Sequence, residues 1–244
     1  MSKTTCRHVI ILGLGMIFCS GVLPAFAQVA PPLGEAGSFA VLGGSAVTNT
    51  GATAITGDAG VSPGTAITGF PPGTLTGTLH SNDAVAQSAQ TDLTTAYNAL
   101  AGQACNTDLS GTDLGGLTLT SAVYCFSSSA QLTGTLTLDA QNNPNAVFVF
   151  QIGSTLTTAS GANVVVINGG SDCNVFWQVG ASETLGTGSG FVGNTLALTS
   201  ITLTTNATSH GSLLARNGAV TMDTNRIGVC APTTPVALQA FGVG

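Results

Sequence analysis

The sequence predicts a mainly β protein folded as a β-helix, a solenoid of stacked coils, with one α-helix packed along its side. Three observations carry this. A threonine-rich phrase returns at Thr135-Leu136-Thr137, Thr155-Leu156-Thr157, Thr184-Leu185-Gly186, Thr202-Leu203-Thr204 and Thr221-Met222-Asp223, at intervals of 20, 29, 18 and 19 residues. Before each phrase lies a short apolar run, such as Val147-Phe148-Val149-Phe150-Gln151-Ile152 or Leu213-Leu214-Ala215. One stretch alone carries helical periodicity. A repeat near 20 residues with several strands in it reads as one coil per repeat, each burying its apolar side against its neighbours.

Residues 1–27 read as a signal peptide. Lys3 and Arg7 form a basic start, an apolar run from Val9 to Phe18 follows, and Ala25-Phe26-Ala27 offers small residues at the cleavage positions. Cys19 is not read as a lipoprotein site, because Phe18 before it is bulky. The remaining residues, 28–244, form one domain of a soluble secreted protein, and no further apolar run is long enough to span a membrane. Once Lys3 and Arg7 are removed, Arg216 and Arg226 face ten carboxylates, a net charge of -8. That balance excludes nucleic acid, which needs clustered Lys and Arg for its phosphates.

From Gly34 to Thr78 the chain runs in short apolar-polar phrases broken by Gly and Pro. A helix is predicted over about 82–101, capped by Ser81 or Asn82, with Val85, Ala89, Leu93, Ala96, Tyr97 and Leu100 on one stripe and Gly102 just past its end. Beyond Cys105 the pattern is strand after strand. Side chains alternate along a strand, so Leu136, Leu156, Leu185, Leu203 and Met222 point inward and their neighbours outward. The outward set is almost uncharged, with Asp223 the exception among the phrases. Four cysteines follow the signal peptide: Cys105, Cys125, Cys173 and Cys230. Two disulfides are expected, with three pairings open; Cys105 with Cys125 closes a short loop and leaves Cys173 for Cys230. No metal-ligand spacing occurs, and no cofactor is implied.

Catalysis finds no support. Gly60-Val61-Ser62-Pro63-Gly64 fits the nucleophile-elbow pattern, but Pro63 has no N–H for an oxyanion and no helix follows. The carboxylates Asp58, Asp83, Asp92, Asp108, Asp113, Asp139, Asp172, Glu183 and Asp223 are scattered, as turn and cap residues are, rather than clustered as in a glycosidase. His80 and His210 stand alone, and Trp177 lies within a strand of bulky residues.

The runs Phe39-Ala40-Val41-Leu42, Val61-Ser62-Pro63-Gly64-Thr65-Ala66-Ile67-Thr68-Gly69-Phe70-Pro71-Pro72-Gly73, Leu114-Gly115-Gly116-Leu117-Thr118, Asn174-Val175-Phe176-Trp177-Gln178-Val179-Gly180 and Leu214-Ala215-Arg216-Asn217-Gly218-Ala219-Val220-Thr221 resemble the bacterial and fungal ice-binding protein family. The resemblance covers nearly all of the chain after residue 27. It implies a right-handed β-helix of triangular section, N-terminal coils added at one end out of sequence order, and adsorption to an ice crystal surface through one flat side. It also implies the motif Thr-Ala/Gly-x-Thr/Asn, found here at Thr53-Ala54-Ile55-Thr56 and Thr65-Ala66-Ile67-Thr68. The candidate face is therefore Thr53, Thr56, Thr65, Thr68, Thr135, Thr137, Thr155, Thr157, Thr184, Thr202, Thr204, Thr221 and Asp223. The protein is expected to be a monomer without enzymatic activity. The alternative is a secreted adhesin or matrix module whose threonine face meets a neutral glycan or protein.

Overall fold

Short alternating phrases give 2- to 5-residue strands that cannot bury an apolar side alone, and stacking resolves this. The computed structural model describes residues 28–230; the expected signal peptide over 1–27 lies outside the described residues. Three parallel sheets of nine, seven and eight strands form the sides of a triangular β-helix. The nine-stranded side runs in space through Leu79–Ser81, Asp58–Val61, Phe39–Gly43, Leu213–Ala215, Asn194–Ala197, Val175–Val179, Phe148–Ile152, Val123–Phe126 and Thr107–Asp108. Coil order thus departs from sequence order. The strand Phe39–Gly43 pairs with Leu213–Ala215, so the N-terminal coils continue the stack where the C-terminal coils stop.

One helix, α1 (Ala84–Ala101), joins the two ends. At about 1.5 Å per residue it is ~27 Å long and carries the chain back along a nine-strand side of roughly 38 Å, at ~4.8 Å per coil. Asp83 caps it, its Oδ1 accepting from the Ala86 N–H at 2.9 Å, and Gly102 ends it. The cap is neither Ser81 nor Asn82 as expected, and Asn82, at φ 50, lies in the preceding turn. The buried stripe is Ala86, Ala89, Leu93, Ala96, Tyr97 and Leu100; Val85 was expected on it but faces outward, because Ala86 occupies the first inward position. This stripe packs on Leu42, Val123, Val149, Phe176, Leu196 and Leu214, the outer residues of the nine-stranded side.

Inside the triangle runs a second core. Its centre is an aromatic ladder in which Phe150 stacks on Tyr124 at 5.4 Å and on Trp177 at 4.0 Å, while Trp177 meets Phe191 at 4.8 Å. The indole N–H donates to the Val192 carbonyl, so burial leaves it satisfied. Cys105 and Cys125 form the expected disulfide, fastening the first coil of the C-terminal stack to the next. Cys173 and Cys230, expected as a second bridge, are thiols in this structure. The Gly60–Gly64 string is strand–turn–strand, with the Ser62 hydroxyl donating to Asn82 Oδ1.

Among the described residues the core holds one acid. Glu183 is fully buried between Leu156 and Ile201 on neighbouring coils, accepts one hydrogen bond from Thr195, and leaves Oε2 without a partner. Burial, only partly offset by the Thr195 bond, pushes its carboxyl up from 4.5 to about 8. The folded chain therefore holds this proton to higher pH than the unfolded chain. Stability from this group is full below about pH 4.5 and is lost as pH rises to about 8. Thermal melts of wild type and Glu183→Gln across that window test this. The wild type loses about 1.4 kcal/mol per pH unit from this group, and the variant lacks that slope. A Leu93→Ala change, truncating a fully buried residue of the helix stripe, is expected to cost ~2–5 kcal/mol in denaturant unfolding.

Candidate functional site

The three sides offer different surfaces, and their columns follow from strand register. On the seven-stranded side the order is Ala130–Leu132, Leu156–Thr158, Glu183–Leu185, Ile201–Leu203, Val220–Met222, Ala46–Asn49 and Ala66–Thr68. The central residues pair in sequence: Gln131 with Thr157, then Thr184, Thr202, Thr221, Thr48 and Thr68. Six threonines thus stand in single file, one per coil, over roughly 24 Å at ~4.8 Å spacing. Inward neighbours beside each threonine lock the column, since a one-residue slip would turn every side chain over. β-Branching leaves each χ1 little freedom.

The polar groups of the row are turned to water. Thr48 Oγ1 donates to Thr221 Oγ1 at 3.3 Å, while the hydroxyls of Thr157, Thr184, Thr202 and Thr68 make no hydrogen bond to protein among the described residues. Beside the row lie small residues, namely Ser129, Thr155, Ser182, Ser200, Ala219, Ala46 and Ala66, with the Thr155 hydroxyl donating to Ser129. No charged side chain interrupts either column. Asp223 closes the other margin, where the Thr205 hydroxyl and then the Thr224 hydroxyl donate to its carboxylate and hold it below the usual range. Thr204 lies at the same margin, its hydroxyl spent on the Leu185 carbonyl at 2.8 Å.

Of the sequence-derived candidates, Thr157, Thr184, Thr202, Thr221 and Thr68 form the row, and Thr155, Thr204, Thr65 and Asp223 flank it. The others go elsewhere. Thr135 and Thr137 lie on Thr135–Asp139, a strand of the eight-stranded side, and so does Thr56, on Ala54–Thr56. Thr53 is buried at a corner, donating to Asn49 Oδ1 at 2.6 Å and accepting from the Asn225 N–H. The cause is physical: alternation separates inward from outward but does not say which side of the triangle a strand occupies. The row position expected at Thr137 is held by Gln131, so the true step to Thr157 is 26 residues. Thr48 was missed altogether, because Thr48-Asn49-Thr50 carries the polar Asn49 where the other phrases carry Leu or Met.

The other two sides are ill suited to a regular surface. The nine-stranded side is covered by α1 over its middle strands, from Phe39–Gly43 to Val123–Phe126. The eight-stranded side carries Arg226, His210, Asn163 and the half-exposed Val165 and Ile167, and it is indented where Gly190 and Gly228 lack side chains. The indentation is a groove of about 460 Å³ lined by Thr56, Asn163, Val192, Thr208, His210 and Arg226. His210 is held by Asp172 at 2.9 Å, and His80 by Asp83 at 2.7 Å beside the α1 cap. Among the described residues no group of three His, Cys, Asp or Glu side chains is placed to hold a metal ion. None of the helices there is long and apolar enough to cross a membrane.

Comparison with known proteins places this geometry. The family described as Ice-binding-like matches residues 41–228. An ice-binding protein of Nostoc sp. (strain HG1) is 56% identical over 236 residues, covering 96% of this chain and 87% of its own. The crystal structure of an ice binding protein from an Antarctic biological consortium superposes with a TM-score of 0.82 at 50% identity, covering 85% of this chain and 94% of that one. That of the ascomycete Antarctomyces psychrotrophicus gives 0.81 at 43% identity, covering 84% and 100%.

Proposed function

This chain belongs to the ice-binding-like family, and from that premise we propose that it adsorbs to ice through the side bearing the threonine row. The observation that carries the reading is the row itself, six in-register threonines with no charged side chain among them and Asp223 at one margin. A charge holds a hydration shell of its own geometry. Threonine instead offers one hydroxyl that anchors a water and one methyl that water must enclose. Repeated at coil spacing with fixed rotamers, this arrangement orders a water layer that a crystal continues, and bridging water holds nearly as well as a direct hydrogen bond.

Rigidity matters because each contact is weak and any ordering of the surface at the moment of binding subtracts from affinity. Stacked parallel strands and the Cys105–Cys125 bridge meet that cost during folding. We place the protein outside the cell as a secreted single chain, freed of residues 1–27. It needs no cofactor, and its effect is inhibition of ice growth and recrystallisation rather than catalysis. An adhesin reading requires an aromatic or charged recognition surface, which the row lacks.

Thermal hysteresis and recrystallisation assays of two variants test the choice of side. Thr202→Tyr, in the middle of the row, is expected to lose most of both activities while melting like wild type. Thr137→Tyr, on the eight-stranded side, is expected to keep them. Full activity in the first, or loss confined to the second, would move the site to another side.

A further inference from the structure

Cys173 and Cys230 are both half-buried and line one cleft of about 830 Å³ together with Phe176 and Asn194. Each sits on anchored backbone. The Cys173 N–H donates to Ser171 Oγ, and its carbonyl accepts from Asn194 Nδ2 at 3.1 Å. Asn194 is itself held, its Oδ1 accepting from the Ser212 N–H. Cys230 follows Arg226–Gly228, which pairs with Ala54–Thr56, and the Val229 N–H donates to the Thr56 carbonyl at 3.0 Å. Both thiols thus open on the same cleft, where burial first, and then the nearness of Cys173, push the Cys230 thiol up.

We propose that Cys173 and Cys230 are joined by a disulfide in the mature protein, closing the coils that carry Thr184, Thr202 and Thr221 into one covalent loop. The bond would run from the approach to Val175–Val179 across to the last strand of the C-terminal stack, the strand on which the N-terminal coils rest. The oxidant is a small-molecule disulfide. The Cys173 thiolate attacks one of its sulfurs and expels the other as a thiolate. The Cys230 sulfur then attacks Cys173 in the mixed disulfide and expels the second. Two protein thiols are oxidised, the reagent is reduced to two thiols, and the two protons pass to them. The inference rests on the extracellular location proposed above only for its natural oxidant, and the test supplies one.

The test uses the chain from residue 28 to residue 244, equilibrated with glutathione disulfide, alkylated without reduction, digested and mapped by mass spectrometry. A Cys173–Cys230 cross-linked peptide, with neither residue alkylated, is the expected result. Alkylation of both, or cross-links to other cysteines, would overturn the proposal. Melting supplies a second readout. A loop of about 57 residues constrains the unfolded chain enough that Cys173→Ser and Cys230→Ser should each lower the oxidised protein's Tm by roughly 5–10 °C. The double variant should fall no further than either single. Single variants that melt with wild type, or effects that add, would count against a shared bond.

Discussion

Parallel, in-register pairing between coils is the constraint on which everything else depends. Each strand inside the stack hydrogen-bonds to a coil on either side, so the place of a side chain in one coil fixes its place in all. The inner column of the seven-stranded side reads Ala130, Leu156, Glu183, Ile201, Val220, Val47 and Ile67, and the outer one is the threonine row. The inner column supplies the burial that holds the stack, and the outer column inherits its regularity from it. Glu183 is the single place where the inner column carries an acid, and it does so beside Thr184, the second threonine of the row.

The same pairing explains how a chain out of sequence order keeps one continuous surface. Thr48 joins Thr221 across the seam between the N-terminal and C-terminal coils, and their hydroxyls touch at 3.3 Å. The seam is bridged by strand pairing on all three sides: Val41 to Leu213, Val47 to Val220, and Ile55 to Ile227. Helix α1 makes this topology possible by returning the chain to the far end, and by covering one side it leaves two for contact with the surroundings. Of these, one is grooved and carries Arg226 and His210, while the other keeps its carboxylates, Asp223 and Asp113, at its margins.

Much of the fold was readable from the residues. Alternation gave the inward leucines, and the helical period placed α1 to within two residues. The side each phrase occupies was not readable. Thr135-Leu136-Thr137 and Thr202-Leu203-Thr204 are chemically alike, yet Ala130–Leu132 takes the seven-stranded side in the first coil, and Thr135–Asp139 falls on the next side. The two Thr-Ala-Ile-Thr motifs part in the same way, Ile55 on one side and Ile67 on another. Thr48 escaped because its membership in the row comes from long-range pairing across 173 positions with Thr221, which no local pattern encodes. The Asp83 cap lost to Ser81 and Asn82 in the reading because all three can cap, and only backbone geometry chooses.

The central claim is that one continuous row, assembled from both ends of the chain, meets ice. Incorporation of fluorescently labelled protein into a single growing ice crystal tests it most directly when the change is made at Thr48, on the N-terminal side of the seam. Labelled wild type is predicted to be taken into the ice, and Thr48→Tyr, with unaltered melting, to be left in the liquid. Uptake of Thr48→Tyr equal to wild type would contradict the account.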